Sequence, residues 1–414
     1  REGEVSLGTV VMHRDHVARL LARAVASGEY LVGPATLRTI RVDAKPRTIY
    51  EFALFDRIVH GVVADVLSEA IEPQLATTLY SYRPGVSWWH GVAAFSAYVR
   101  AHRRARPDPR TRGLFVLRRD IDAYTDSIPL GADSAIWARL DQALAARGWA
   151  DSGSAADRAL IRAVVRPHIR ATGGVVEQRD RGVATGLPIS CLCFNLFMAD
   201  VDRELSAIRG AFWARYSDDI VFAHPDAEVV RDAEAVLARR VAELGLRFNE
   251  RKSQDLYLTA AGRPSLDRPE ARGTPYVPFL GMRVLADGGV ALGHRKVREF
   301  LREARRRAAN AAQATQGEPD ETRGRAVVAA LERLMDADDA DLQGAAAPLL
   351  ARAVTDRRQL DALDHELAAL VAATVAERPA PQAFRRVPYR RTRQEWGLPS
   401  LRFSRDRAPA RKAT

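Results

Sequence analysis

The chain has 414 residues, 47% of them apolar, and carries a formal net charge of +11. That length suits two or three subdomains, the apolar share excludes global disorder, and the charge favours a polyanionic partner. Cys191 and Cys193 are the two cysteines, a spacing that suits neither a mutual disulfide nor a complete zinc site and fits a reducing, cytoplasmic location.

No apolar run reaches the ~18 residues of a membrane span, and the polar start lacks the apolar core of a signal peptide. Residues 14 to 27 read as a helix, with Val17, Leu20, Leu21, Ala24 and Val25 on one face. Leu37 to Val42 and Thr48 to Phe52 read as strands flanking Lys45-Pro46-Arg47. Phe55 to Leu67 is helical by period, Pro84-Gly85 marks a turn, and Trp88 to Ala101 is a further helix. Arg103 to Arg112 is a polar loop. Gly113 to Ile121 is an apolar strand ending on charged residues. Ser134 to Arg147 is helical, Val175 to Gln178 a strand, and Ile189 to Leu205 one strongly apolar helix. Phe212 to Phe222 reads as a hairpin with Ser217, Asp218 and Asp219 at its turn. Ala227 to Leu244 is an amphipathic helix, and Arg247 to Leu258 is strand and loop. Tyr276 to Leu292 reads as a last hairpin turning at Asp287-Gly288-Gly289. From Lys296 to Glu377 the chain is rich in Ala, Arg and Leu, with helical period and no strand signal. A very basic stretch, Arg385 to Lys412, follows.

The sharpest local signal is Tyr216-Ser217-Asp218-Asp219 between two apolar runs. Adjacent carboxylates on a turn repel each other; such a pair is either solvated or relieved by a divalent cation. A second acidic strand end, Asp120-Ile121 followed by Asp122 and Asp126, adds a third carboxylate. Three convergent carboxylates can hold two Mg²⁺ ions about 4 Å apart, an arrangement suited to nucleotidyl transfer.

Taken in order, these segments resemble the reverse transcriptases over roughly residues 38 to 292. The segment Arg118 to Asp126 resembles the family's first catalytic motif. Gly186-Leu187-Pro188, leading through Ser190 to Asn195, resembles its template-and-nucleotide helix, and Tyr216 to Asp219 its Tyr-x-Asp-Asp box. Gly245-Leu246, Asn249 and Lys252-Ser253 resemble the next motif, and Phe279-Leu280-Gly281 the primer grip. Lys45-Pro46-Arg47 and Ser81-Tyr82-Arg83-Pro84-Gly85 resemble the fingers motifs.

The resemblance implies an α+β right-hand fold. Residues 1–112 would form the N-terminal region and fingers, and 113–293 the palm, an antiparallel sheet with helices. Residues 294–378 would form a helical thumb, and 379–414 a basic tail. It makes Asp120, Asp218 and Asp219 the catalytic metal ligands for two Mg²⁺ ions, with the Ile121 carbonyl completing one sphere. Lys45 and Arg47 would contact the incoming dNTP, and Arg83 a template base or the phosphates. Gly186 and Pro188 would admit the new base pair, and Lys252 would bind pyrophosphate or protonate it.

Two local departures stand out. The family's steric gate lies five residues after the first aspartate, here at Thr125, with Tyr124 one earlier; Tyr124 is expected to reach the gate through a local bulge. The path from Pro188 to Asn195 is about four residues shorter than in many relatives, and Cys191 and Cys193 read as small core residues. No endonuclease, ribonuclease H or maturase-like motif is evident, so the chain resembles the stand-alone, defence-associated bacterial branch more than a mobile-intron enzyme. The expected function is RNA-directed DNA synthesis on a noncoding RNA that serves as template or scaffold, in antiphage defence. Untemplated or protein-primed synthesis and a non-catalytic RNA-binding scaffold are the alternatives. Arg385, Arg386, Arg390, Arg391 and Arg393, interleaved with Phe384, Tyr389 and Trp396, suit RNA through stacking and charge, or form a free basic end. Homo-oligomers occur among such relatives.

Overall fold

A computed structural model of the chain describes residues 6–42, 45–108, 113–149, 155–171, 174–335 and 353–403, with Val42, Lys45 and Arg47 described by backbone alone. Two compact units emerge, one built from Arg1–Gly91, Phe115–Leu256 and Asp267–Ala271, the other from Val92–Leu114, Tyr257–Leu266 and Arg272–Thr414.

In the first unit, β1 (Ala35–Val42) and β2 (Lys45–Glu51) pair antiparallel, Thr36 opposite Glu51 and Ile40 opposite Arg47. Pro46 cannot donate to a ladder, and β2 is accordingly the edge of its sheet. The central sheet holds β3 (Leu114–Asp120), where every residue except Arg118 is buried. A strand covered on both faces reads as a continuous apolar run, which is how Leu114 to Leu117 reads. The edge pair β4 (His168–Arg170) and β5 (Val176–Gln178) extends the β1–β2 sheet. β6 (Phe212–Tyr216), β7 (Asp219–His224) and β8 (Gln254–Leu258) lie beside β3 in the five-stranded central sheet, in the order β6-β7-β3-β8 with one further strand after β8. The helices Leu54–Ile71, Ala135–Ala145 and Pro188–Phe197 pack on one another, and Ala227–Glu243 packs on β7.

The expected helix from Ile189 to Leu205 is two helices, Pro188–Phe197 and Ala199–Ser206. Met198, at φ −110° and ψ 13°, breaks them apart. The change of axis lets Asp202 turn inward, where its carboxylate meets the guanidinium of Arg215 at 2.5 Å with both side chains fully buried. Trp213 Nε1 donates to the same carboxylate at 3.1 Å.

In the second unit, β9 (Arg272–Thr274) is followed by β10 (Tyr276–Phe279), β11 (Met282–Leu285) and β12 (Val290–Leu292), and the last three form an antiparallel meander. A single hairpin was the expectation; the extra reversal falls at Leu280 and Gly281, with φ of 50° and 77°, a conformation that glycine adopts without a Cβ penalty. The helices His294–Ala314, Asp320–Met335 and Arg357–Ala376 pack pairwise, as their Ala-rich faces allow. Residues 272–293 therefore group with these helices, so the unit boundary does not fall at residue 294.

The basic stretch is folded as far as Phe403, not free. Ala380–Arg386 is a helix and Arg391–Glu395 a turn of π-helix, both against Arg357–Ala376. Trp396 is buried over Gly324, whose missing side chain makes the space: a Cβ there would lie 2.4 Å from the indole. Residues 404–414 lie outside the described residues. Among the described residues no helix is long and apolar enough to cross a membrane.

Candidate active site

The site is set by strand register. Asp120, the last residue of β3, lies directly opposite Asp219, the first of β7. Ser217 occupies the left-handed region at φ 56° and makes the tight reversal from β6 into β7. Such a conformation costs about 1–3 kcal/mol for a residue with a side chain and persists where its surroundings hold it. They do so here: Ser217 N donates to Ser81 Oγ at 3.0 Å, and Arg215 Nη1 donates to Ser217 O at 3.2 Å. Ser81 and Asn195, both buried, clasp each other through Ser81 Oγ to Asn195 Oδ1 at 2.9 Å and Asn195 Nδ2 to Ser81 O at 2.7 Å. Beyond Asp120, Ile121 N donates to Asp218 O at 3.1 Å, and Asn249 N donates to Asp120 O at 2.8 Å. The two acidic strand ends and the 245–253 loop are thereby tied into one backbone network.

Cations balance the acids. Lys252 Nζ donates to both oxygens of Asp120, at 2.9 and 2.8 Å, while its own side chain is 55% exposed. Arg118 Nε stands 3.5 Å from Asp219 Oδ1, an ion pair without a well-formed hydrogen bond; both atoms are buried and otherwise unbonded. Burial pushes the Asp219 carboxyl up to about 6; Arg118 opposes this, and Asp218 and Asp120 add to it. A buried carboxylate oxygen with no donor is the kind of group that a divalent cation satisfies. The donor set therefore fits a hard divalent ion: hard oxygens on adjoining strand ends, one of them orphaned. Among the described residues no three acidic, imidazole or thiolate groups already converge on a point. Lys252 and Arg118 instead carry part of the counter-charge.

Around this centre the other candidates separate. Gly186 adopts φ +102°, and a Cβ there would meet nothing within 4 Å. Pro188 opens the helix behind it. Thr185 ties that loop to β2, its Oγ1 donating to Thr48 O at 3.0 Å and its carbonyl accepting from Tyr50 N at 3.3 Å. The loop and the strand bearing Lys45 and Arg47 are thus neighbours, although those two side chains lie outside the described residues.

Two expectations need correction. Tyr124 does not reach a gate: it is buried, and its hydroxyl donates to Phe194 O at 2.6 Å. Ala123, left-handed at φ 43°, turns the chain so that Tyr124 enters the core, while Thr125 is half-buried and its carbonyl accepts from Val183 N. Arg83 is not free for a base or a phosphate. Its fork donates to Glu72 at 2.9 and 2.6 Å and to the carbonyls of Ala76 and Leu79 at 2.8 and 3.2 Å. Cys191 and Cys193 are free thiols, Cys193 buried and pushed up to about 12 by that burial.

Sequence reasoning passed over Asp202 and Arg215, and quoted Arg118 and Tyr82 within motifs without giving either a role. Tyr82 is 44% exposed, left-handed at φ 52°, and packs against Tyr216 and Phe194 with centroids 5.9 and 6.4 Å away. The one available signal was a charged residue, Arg215, inside an otherwise apolar strand. In the second unit, Phe279 is buried edge-on to Phe95, and Gly281 O accepts from Gly293 N at 2.9 Å. Of the five arginines expected to bind RNA, Arg386 pairs with Asp320 at 2.8 Å and Arg393 with Asp364 at 3.1 Å. Arg391 lies over Trp396 and 3.5 Å from Glu321, Arg390 bonds Gln394, and Arg385 is exposed.

A family model described as reverse transcriptase (RNA-dependent DNA polymerase) matches residues 43–284. No curated protein matches the chain. Among solved structures, the telomerase from Candida albicans in complex with a TWJ fragment of telomeric RNA is similar at 11% identity, over 95% of this chain and 70% of that one, with a TM-score of 0.49. Apo telomerase from Candida tropicalis truncated from its C-terminal domain is similar at 12% identity, over 68% of this chain, with a TM-score of 0.47; the chain spans 60% of its length. The family match covers more than half of the 414 residues and takes in the strand, hairpin and loop that carry Asp120, Asp218, Asp219 and Lys252, and the chain belongs to the reverse transcriptase family.

Proposed function

We propose that the chain is an RNA-directed DNA polymerase that copies a noncoding RNA into DNA by two-metal nucleotidyl transfer. The observation that carries this reading is the cross-strand pairing of Asp120 with Asp219 beside Asp218, with one carboxylate oxygen buried and unbonded. Asp120, Asp218, Asp219 and the Ile121 carbonyl would hold Mg²⁺. When bound there, the metal supplies a lowered pKa for the primer 3′-hydroxyl and counter-charge for the triphosphate. The protein's part is positioning and charge neutralisation.

Ser81, Asn195 and Arg215 hold the hairpin tip so that both of its carboxylates stay at the strand ends. Arg118 keeps Asp219 ionisable despite its burial. Lys252 neutralises Asp120 in the resting site, and its exposed stem lets the ammonium swing to the triphosphate and then to pyrophosphate. Lys45 and Arg47 would meet the phosphates from β2. The open backbone at Gly186 lets a base pair approach closely, with Thr125 nearest in sequence to the ribose gate. In this reading the fingers, palm and thumb take residues 1–112, 113–293 and 294–378, and Phe279-Leu280-Gly281 grips the primer. A cytoplasmic, antiphage role with a dedicated RNA rests on the sequence resemblance to stand-alone bacterial enzymes. A second copy of the chain is a further candidate partner.

The test is to purify the protein from a native-like host and sequence its bound nucleic acid beside an Asp218→Ala/Asp219→Ala control. One enriched RNA with complementary DNA, absent from the control, is the expected result. DNA without complementary RNA would replace templated copying by untemplated or protein-primed synthesis. RNA retained by both forms, with no DNA from either, would leave only a scaffold.

A further inference from the structure

A cleft of ≈680 Å³ lies in the C-terminal part of the second unit, far along the chain from the acidic centre. Its wall is unusual for a basic surface because aromatic rings stand in it exposed. Tyr389 is 44% and Phe403 66% exposed. The exposed His365 stacks on Tyr389 with centroids 6.2 Å apart and planes 20° from parallel, and Phe384 supports His365 at 5.8 Å.

The arginines of the cleft are held in place. Arg393 lies over the Tyr389 ring at 5.5 Å and donates to the carbonyls of Asp364, Leu398 and Pro399. Arg402 donates through Nη1 to both oxygens of Asp361 at 2.9 Å and stays partly exposed. Asp364, buried, accepts from Ser400 Oγ at 2.5 Å and from Leu401 N at 2.8 Å, which pins residues 400–401 against the helix Arg357–Ala376. The rings are thus presented on a rigid frame. Rings left exposed on a folded frame keep apolar area in water, a cost that a flat π-faced ligand would relieve by covering it. Asp361 and Asp364 also line the cleft, paired with Arg402 and Arg393, and Arg386 and Arg391 pair with Asp320 and Glu321, so of the six described arginines from 385 to 403 it is the exposed Arg385 and Arg390 that suit a phosphate backbone.

We propose that this cleft binds the unstacked bases of a single-stranded nucleic-acid segment. One base lies against the His365–Tyr389 pair, a neighbouring base against Phe403, and the backbone runs along the exposed Arg390. The inference deepens the reading of the chain as a polymerase served by an RNA, and names where outside the acidic centre a single strand is held. Paired bases present no free faces, so the cleft discriminates against duplex.

The test uses the full chain and fluorescence anisotropy with a labelled single-stranded RNA of mixed sequence, the same sequence as DNA, and the RNA duplex. Three forms are compared: the parent, Tyr389→Ala/Phe403→Ala and Tyr389→Phe. With two stacking faces removed, the double variant should bind single strands about tenfold or more weakly. Its salt slope should stay that of the parent, because no charge was removed. Tyr389→Phe keeps the ring and should bind as the parent does. Equal affinity for RNA and DNA single strands supports recognition of base faces alone, and a preference for RNA supports an added 2′-hydroxyl contact. Binding of single strands within twofold of the parent by the double variant, or stronger binding of duplex than of single strand, overturns the proposal. Asp218→Ala should lose DNA synthesis and keep this binding. A failed polymerase reading thus shows as lost synthesis in the parent, and a failed cleft as unchanged binding in the double variant.

Discussion

At the scale of single residues, the acidic centre rests on a buried ion pair that takes no part in the chemistry. Arg215 and Asp202 are both fully buried and joined at 2.5 Å, and Arg215 also holds the carbonyls of Asn195 and Ser217. Removing one partner leaves the other charged and unpaired, so Asp202→Ala should lower stability by about 3–5 kcal/mol. A thermal melt that matches the parent would disprove that role. Lys252 differs, its half-exposed ammonium being held by Asp120. Lys252→Ala removes the counter-charge of the buried Asp120 and should lower the melting midpoint, but by less than Asp202→Ala does, because the ammonium itself is half exposed. It should slow single-nucleotide incorporation, and rapid-quench turnover separates the two effects. His60 has both ring nitrogens buried and unbonded beside Phe52, and burial lowers it from 6.5 to about 4. The folded state therefore prefers the neutral ring. Its stability contribution is intact above pH 6.5 and is lost as pH falls toward 4, by up to about 3 kcal/mol. Melting the parent and His60→Leu between pH 7.5 and 4.5 should show a shallower acid loss in the variant; equal losses would assign acid sensitivity elsewhere.

At the scale of elements, two glycines decide how neighbouring pieces seat. Gly288, at φ +79°, makes the β11–β12 turn, and its carbonyl accepts from Ser96 Oγ at 2.6 Å and Arg100 Nη1 at 2.9 Å. A Cβ there would lie 2.3 Å from Arg100 Cγ and 2.9 Å from the Ser96 carbonyl oxygen. Gly324 lies under the Trp396 indole, whose Nε1 donates to Glu321 at 2.7 Å. Gly324→Ala should unseat the ring and cost about 1–3 kcal/mol, read as a lower melting midpoint of the second unit. An unshifted midpoint, with Trp396 fluorescence unmoved, would show that the indole has another place to go. Helix and strand existence was legible from periodicity, because one buried face repeats at a fixed spacing. The break at Met198 and the reversal at Leu280-Gly281 were not, because neither carries a proline or an Asn-Gly pair. Both are imposed by what packs on either side.

At the scale of the whole molecule, the excess of cations is the feature that acts at a distance. With a net charge of +11, binding to a nucleic acid should weaken steeply with salt, by about 10³-fold or more between 50 and 200 mM if six or more phosphates are neutralised. A flat anisotropy titration across that range would show that few phosphates are neutralised on binding. Many of the 63 basic side chains are nonetheless engaged locally, since Arg119, Arg139, Arg386 and Arg402 all pair with acids. Composition counts these cations, and only the fold says which of them remain available.

The acidic strand ends, the Tyr-Ser-Asp-Asp turn and the order of the segments around them were determined by the sequence itself. They are local: a strand period, a turn, and residue types whose repulsion needs a reason. What the tertiary structure decided is which side chains of those same motifs face the site. Tyr124 and Arg83 sit in segments that resemble substrate-binding ones, yet a left-handed Ala123 sends the first into the core and Glu72 holds the second. Tyr82 and Arg118 stand beside the centre, although their motifs gave neither a role of its own. A residue's type and spacing set what it can do, but its direction depends on contacts from segments a hundred residues away, as between Ser81 and Ser217. Those contacts exist only once the chain has folded.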